Sequence, residues 1–137
     1  MNKKLIIFVT MVLMIISISC GKPIYQEHSK RRYILKQREL LKGFAFCNCV
    51  LNAIKEDTVI QNDISGSIYL NISFYDDSAY SVIARLARNT AAAIKPPTYV
   101  DYLGKHTILY ECNRFQNGKF LDSVVRTLDN KIRKPLW

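Results

Sequence analysis

The chain reads as an all-α protein, a small bundle of four to five helices stapled by one disulfide. Three observations predict it. Apolar residues recur at helical spacing in several separate stretches, and capping residues and prolines punctuate those stretches. The one segment that could form a strand has no second strongly alternating segment to satisfy its backbone.

The N-terminus comes first. Met1-Asn2-Lys3-Lys4, an uncharged apolar run from Leu5 to Ile16, and Ser17-Ile18-Ser19 form a secretory signal, too short to span a membrane permanently. Cys20 follows where a bacterial lipoprotein carries its lipidated cysteine. Ile18 and Ser19 suit that signal, while Ser17 stands where an aliphatic residue is usual. Ser17 and Ser19 also satisfy the small-x-small rule of ordinary signal cleavage at the same bond. The reading is a lipoprotein-type signal over 1–19 with Cys20 lipidated, a tether over 20–33, and a helical domain over 34–137. The address is the periplasm, tethered to the outer membrane.

Residues 21–33 are polar and basic, with Pro23 and no hydrophobic period. From about Tyr33 to Glu56, Leu40, Phe44, Cys47, Leu51 and Ile54 recur beside a flanking row of Phe46, Cys49, Val50 and Ala53, which predicts a long helix with a wide apolar face. Gly43 within it costs about 1 kcal/mol relative to alanine and marks a close approach of another helix. Asp57–Asn62 is a polar break, and Asp63 can cap the next element. There Ile64, Ile68 and Ile72 stack at a spacing of four. Ser67–Tyr75 alternates enough to suit a strand, but the absence of a pairing partner favours helix.

Asp76-Asp77-Ser78 caps a helix from Ala79 to about Ile94, with Val82, Ile83, Leu86, Thr90 and Ala93 as its buried stripe. Pro96 and Pro97 end it. Tyr99–Phe115 is a further apolar stretch interrupted near Gly104, and Gln116-Asn117-Gly118 is a turn. Phe120, Leu121, Val124, Val125, Leu128 and Ile132 then predict a last helix from Lys119 to about Ile132.

The formal net charge is +9, and two of the lysines, Lys3 and Lys4, leave with the signal. An acidic partner or anionic surface is favoured. The cations are dispersed apart from Lys30-Arg31-Arg32 and the C-terminal lysines and arginine, which with export excludes nucleic acid. Cysteines stand at 20, 47, 49 and 112. Cys47 and Cys49 lie about 200° apart around a helix, so only one of them can face Cys112. The spacing lacks the paired pattern of a zinc site, and no metal or cofactor is expected.

A cysteine nucleophile with His106 as base would need a thiol exposed at a helix start, whereas Cys47 and Cys49 sit mid-helix among Phe44, Phe46, Val50 and Leu51. No phosphate-cradling glycine loop or serine nucleophile motif occurs, and the chain is not expected to be an enzyme. The residues suited to a binding face are Tyr75, Tyr80, Tyr99, Tyr102, Arg85, Arg88 and Lys95, because stiff aromatic and guanidinium groups lose little entropy on docking.

Three segments carry a resemblance: Leu41-Lys42-Gly43-Phe44-Ala45-Phe46-Cys47-Asn48-Cys49-Val50-Leu51-Asn52-Ala53-Ile54-Lys55; Asp63-Ile64-Ser65-Gly66-Ser67-Ile68-Tyr69-Leu70; and Tyr110-Glu111-Cys112-Asn113-Arg114-Phe115 followed by Phe120-Leu121-Asp122-Ser123-Val124-Val125. In order and spacing they resemble the immunity proteins that protect bacteria from the fourth family of cell-wall amidase effectors of the type VI secretion system. The resemblance implies an all-helical, often dimeric fold that blocks the amidase cleft, and it implies pairing of Cys49 with Cys112. Cys47, the lipid anchor and Pro96-Pro97 depart from that pattern. The expected contact lies near Asp57–Asn62 or Lys95–Lys105, with Lys95, Tyr99, Tyr102 and Lys105 as partner-binding residues. The alternative reading is an envelope lipoprotein acting as a structural or adaptor subunit.

Overall fold

The computed structural model describes residues 22–54, 57–95 and 106–133, and the side chains from residue 27 onward within them. These residues form an all-helical fold: α1 (Lys22–Ala53), α2 (Thr58–Gln61), α3 (Ser65–Ile72), α4 (Asp77–Ala93), α5 (Ile108–Gln116) and α6 (Lys119–Thr127), followed by a 3-10 turn, Asp129–Lys131. The chain divides into two compact units, Met1–Tyr33 and Ile34–Trp137. In the first unit, residues 22–33 are helical, although their sequence carries no apolar period. Pro23 falls in the first turn, where its missing N–H leaves no hydrogen bond unmade.

The core of the second unit has two clusters. The first gathers Leu41, Phe44 and Ala45 of α1, Tyr75, Ala79 and Ile83, and Leu121 and Val125 of α6. The second gathers Cys49 and Val50, Ala87 and Ala91, and Cys112. The α1 and α4 helices therefore run the same way past both clusters. The buried stripe of α4 is Ala79, Ile83, Ala87 and Ala91, not the expected run through Val82, Leu86, Thr90 and Ala93. Of the expected residues only Ile83 is buried; Val82, Leu86 and Thr90 flank the stripe and Ala93 is exposed. Small side chains let the helix axes approach closely, and the larger ones cover the seam.

Cys49 and Cys112 form the disulfide, with Cα atoms 5.7 Å apart and both side chains fully buried. It joins α1 to α5 inside the second cluster.

Gly43 behaves as its place in the sequence implies. A Cβ there would lie 2.5 Å from Cζ and 2.9 Å from the hydroxyl of Tyr69, so the phenol end of the α3 tyrosine abuts the glycine. Farther along, Gly66 packs toward Cys47 and Asn48 of α1, with room for a Cβ at 3.8 Å.

After Ile72 the chain turns extended. Phe74 donates its amide to the buried Gln37 (2.8 Å) and accepts from the Arg133 amide (2.7 Å). Tyr75 forms an isolated antiparallel bridge with Ile132, and the Asp76 amide donates to the Lys131 carbonyl at 3.0 Å. The last helix consequently stops at Thr127 instead of reaching Ile132: the apolar spacing continues, but Ile132 is spent on the bridge. Arg38 of α1 fixes the same region by a two-point contact with Asp129, whose Nε arm is 2.9 Å long. This stitching leaves the Tyr75 side chain almost wholly buried, with its hydroxyl lacking a hydrogen-bond partner among the described residues.

Candidate interaction surface

The Asp57–Asn62 connection is a built element, not an open break. Asp57 caps α2 by accepting from the amides of Val59 (2.8 Å) and Ile60 (3.3 Å). The Gln61 side chain donates back to the carbonyls of Leu51 (3.2 Å) and Ile54 (2.7 Å), satisfying orphan acceptors at the end of α1. Ile60 packs into the disulfide cluster while Val59 stands 76% exposed. Ile94 and Ile108, which flank the other expected contact segment, pack against that same cluster.

Asp63 accepts from the Ser65 amide at 2.7 Å, and the hydrogen bonds from Ser65 hold its carboxyl below the usual carboxylate value. The helix that follows turns the wrong way for a core element. Gly66, Tyr69 and Ser73 face inward at spacings of three and four, whereas Ile64, Ile68 and Ile72 point out at 68%, 49% and 49% exposure. Leu70 on the other flank of the helix and Phe74 beyond its end are also exposed. Six large apolar residues between Val59 and Phe74 thus meet water on one short stretch, the densest such run among the described residues. The sequence did carry a signal for this: a glycine, a tyrosine and a serine on one helical face, opposite the isoleucines, with a second glycine available on α1 to receive the ring.

A groove of about 240 Å³ lies where α4, α5 and α6 meet, lined by Thr90, Glu111, Arg114, Phe115, Gly118 and Phe120. Phe120 is exposed at its edge, near the ion pair of Glu111 and Arg114 (3.5 Å).

The expected binding residues separate as follows. Lys95 is exposed just beyond the Ile94 cap of α4, and Arg85 and Arg88 are exposed on that helix. Tyr99, Tyr102 and Lys105 lie outside the described residues, as does Cys20. Two tyrosines named for a binding face are structural. Tyr75 is core, and Tyr80 meets Phe44 edge-on at 5.1 Å and donates to the Ser73 hydroxyl at 2.7 Å. Cys47 is the free thiol among the described residues, half-buried; burial, aided by the nearby Asp63 charge, pushes its pKa up. That shift disfavours the thiolate that a nucleophile requires. His106 is exposed.

Comparison with known protein families, curated proteins and solved structures gives no match.

Proposed function

We propose that the chain is an exported immunity protein that binds a peptidoglycan amidase delivered by a type VI secretion system and occludes its catalytic cleft. The Cys49–Cys112 bond supports this reading most directly. It links the first and third of the segments that carry the resemblance, in the pairing the resemblance implies. The signal at residues 1–19 fits the same reading, because an inhibitor of a wall-cutting enzyme must wait where the wall is.

The inhibitory contact is assigned to the apolar run from Val59 to Phe74, which overlaps and extends the first of the two expected contacts, Asp57–Asn62, in preference to Lys95–Lys105. Exposed apolar patches of this kind mark interaction sites. Inserting a few stiff side chains into a cleft supplies the central anchors of a tight complex. Inhibition then needs no chemistry from the immunity protein, only that its helix occupies the space of the wall peptide.

The test is titration of the purified domain against its cognate amidase during cleavage of peptide crosslinks. Wild type inhibits at one-to-one stoichiometry. Ile68→Asp stays folded at a cost of about 1 kcal/mol, since only half of the side chain is buried, yet loses at least a hundredfold in affinity. Failure of the wild type to bind or inhibit refutes the function, and an unaffected Ile68→Asp refutes the assigned surface.

A further inference from the structure

We infer that the N-terminal part of α1 is a docking segment for an anionic membrane surface. Lys30, Arg31 and Arg32 are consecutive, exposed and helical, and none forms an ion pair among the described residues. Elsewhere the described cations without an ion pair, Lys36, Arg85, Arg88, Lys95 and Lys119, stand singly in the sequence, while Arg38, Lys42, Arg114, Arg126, Lys131 and Arg133 are paired with carboxylates. Between residues 22 and 33 the only carboxylate is Glu27, against Lys22, Lys30, Arg31 and Arg32.

On a helix the three cations at 30–32 spread over about 200° centred on Arg31. Long basic side chains bend toward an interface while their stems lie along it, so this arc can present all three charges to one plane. Each basic residue held near an anionic leaflet contributes about fivefold in partition. The segment also stands ten residues after Cys20 in sequence. If Cys20 carries lipid, the cations lie within reach of the headgroups and supply the second signal that stable anchoring requires.

The inference does not depend on the amidase reading or on lipidation, and its test separates them. The chain from residue 20 onward, prepared in oxidised form without lipid, is sedimented with vesicles of phosphatidylcholine alone or with about one-third phosphatidylglycerol. We expect binding to the anionic vesicles only, lost as salt rises, because surface charges are screened beyond about 10 Å at 0.1 M. The triple variant Lys30→Gln, Arg31→Gln, Arg32→Gln should lower partition by two orders of magnitude or more. A control with the exposed cations of α4 and its end neutralised, Arg85→Gln, Arg88→Gln, Lys95→Gln, should bind as wild type. Equal binding to both vesicles, an unaffected triple variant, an equal loss in the control, or capture of an acidic protein with no vesicle binding would each overturn the assignment.

Discussion

Replacing Cys49 and Cys112 together by alanine releases a loop of 63 residues that the bond closes in the unfolded chain. The chain-entropy relation assigns such a loop about 14 cal/mol/K, or roughly 4 kcal/mol at 25 °C. Both side chains are fully buried among Val50, Ala87 and Ala91, so the lost sulfurs add a smaller cavity cost of the same sign. A domain of roughly 100 residues unfolds with an entropy of about 0.2 kcal/mol/K, so the melting temperature should fall by about 20 °C. Such a loss is a large share of the roughly 5–15 kcal/mol that holds a domain folded. Thermal and urea melts followed by helical circular dichroism provide the assay, with Cys47→Ala as control. The urea slope should also rise, because the unlinked chain exposes more surface on unfolding. A fall of less than about 5 °C, or an equal fall in Cys47→Ala, would refute the loop argument.

The two helix contacts of α3 predict opposite responses to alanine. Gly43→Ala gains about 1 kcal/mol of helix propensity but drives a methyl into the Tyr69 ring, so a net loss of about 1–2 kcal/mol in urea melts is expected. Gly66→Ala meets only ordinary contacts at 3.8 Å and should be neutral or stabilising by up to about 1 kcal/mol. Tyr75→Phe removes a buried hydroxyl that has no partner among the described residues and should raise stability by about 1 kcal/mol, where a loss of that size would reveal a hidden partner. Asp76 is held below its ordinary pKa of 3.8 by the Ser78 hydroxyl, the Ala79 amide and Lys131. Its contribution is therefore fully present above pH 3.8 and lost as pH falls through the lower folded value. The gap between the melting temperatures of wild type and Asp76→Asn should narrow on acidification from pH 5 to pH 2.5, and a constant gap would contradict the cap.

Helices were legible wherever apolar period and caps agreed. The Asp76 cap, the α4 span and the turn at Asn117 all follow from side chains acting on their own backbone, which is local information. Misreadings arose where tertiary contact decides. Apolar size pointed to Val82 and Leu86 on α4, but close helix approach selects Ala79, Ala87 and Ala91 for the seam. The spacing of Leu128 and Ile132 extends the last helix, but the pairing of Ile132 with Tyr75, 57 residues earlier in the sequence, ends it. The Ser67–Tyr75 stretch was ambiguous because both readings hold in part: it is helical to Ile72 and extended from Ser73. Of the expected binding residues, Lys95 was legible as exposed because it follows a helix end and precedes two prolines. The spacing of the isoleucines of α3 defines a face without saying what it meets; the signal that they face water lay in Gly66, Tyr69 and Ser73 on the opposite face and in Gly43 on α1.

The outward turn of α3 is nevertheless imposed by the rest of the fold. Tyr69 must lie over Gly43, Gly66 must meet α1 near Cys47, and Ser73 must accept from Tyr80. These contacts occupy one side of an eight-residue helix and leave Ile64, Ile68 and Ile72 on the other. Rotating the helix to bury the isoleucines would break all three contacts and unseat Phe74 from Gln37. Leaving them half-exposed forgoes about 1 kcal/mol of burial for each. A sequence that needed only to fold could place serine or lysine there at no cost to those contacts. Three isoleucines and a phenylalanine in their place are favoured where another surface covers them, which is the physical ground for the proposed contact at this helix.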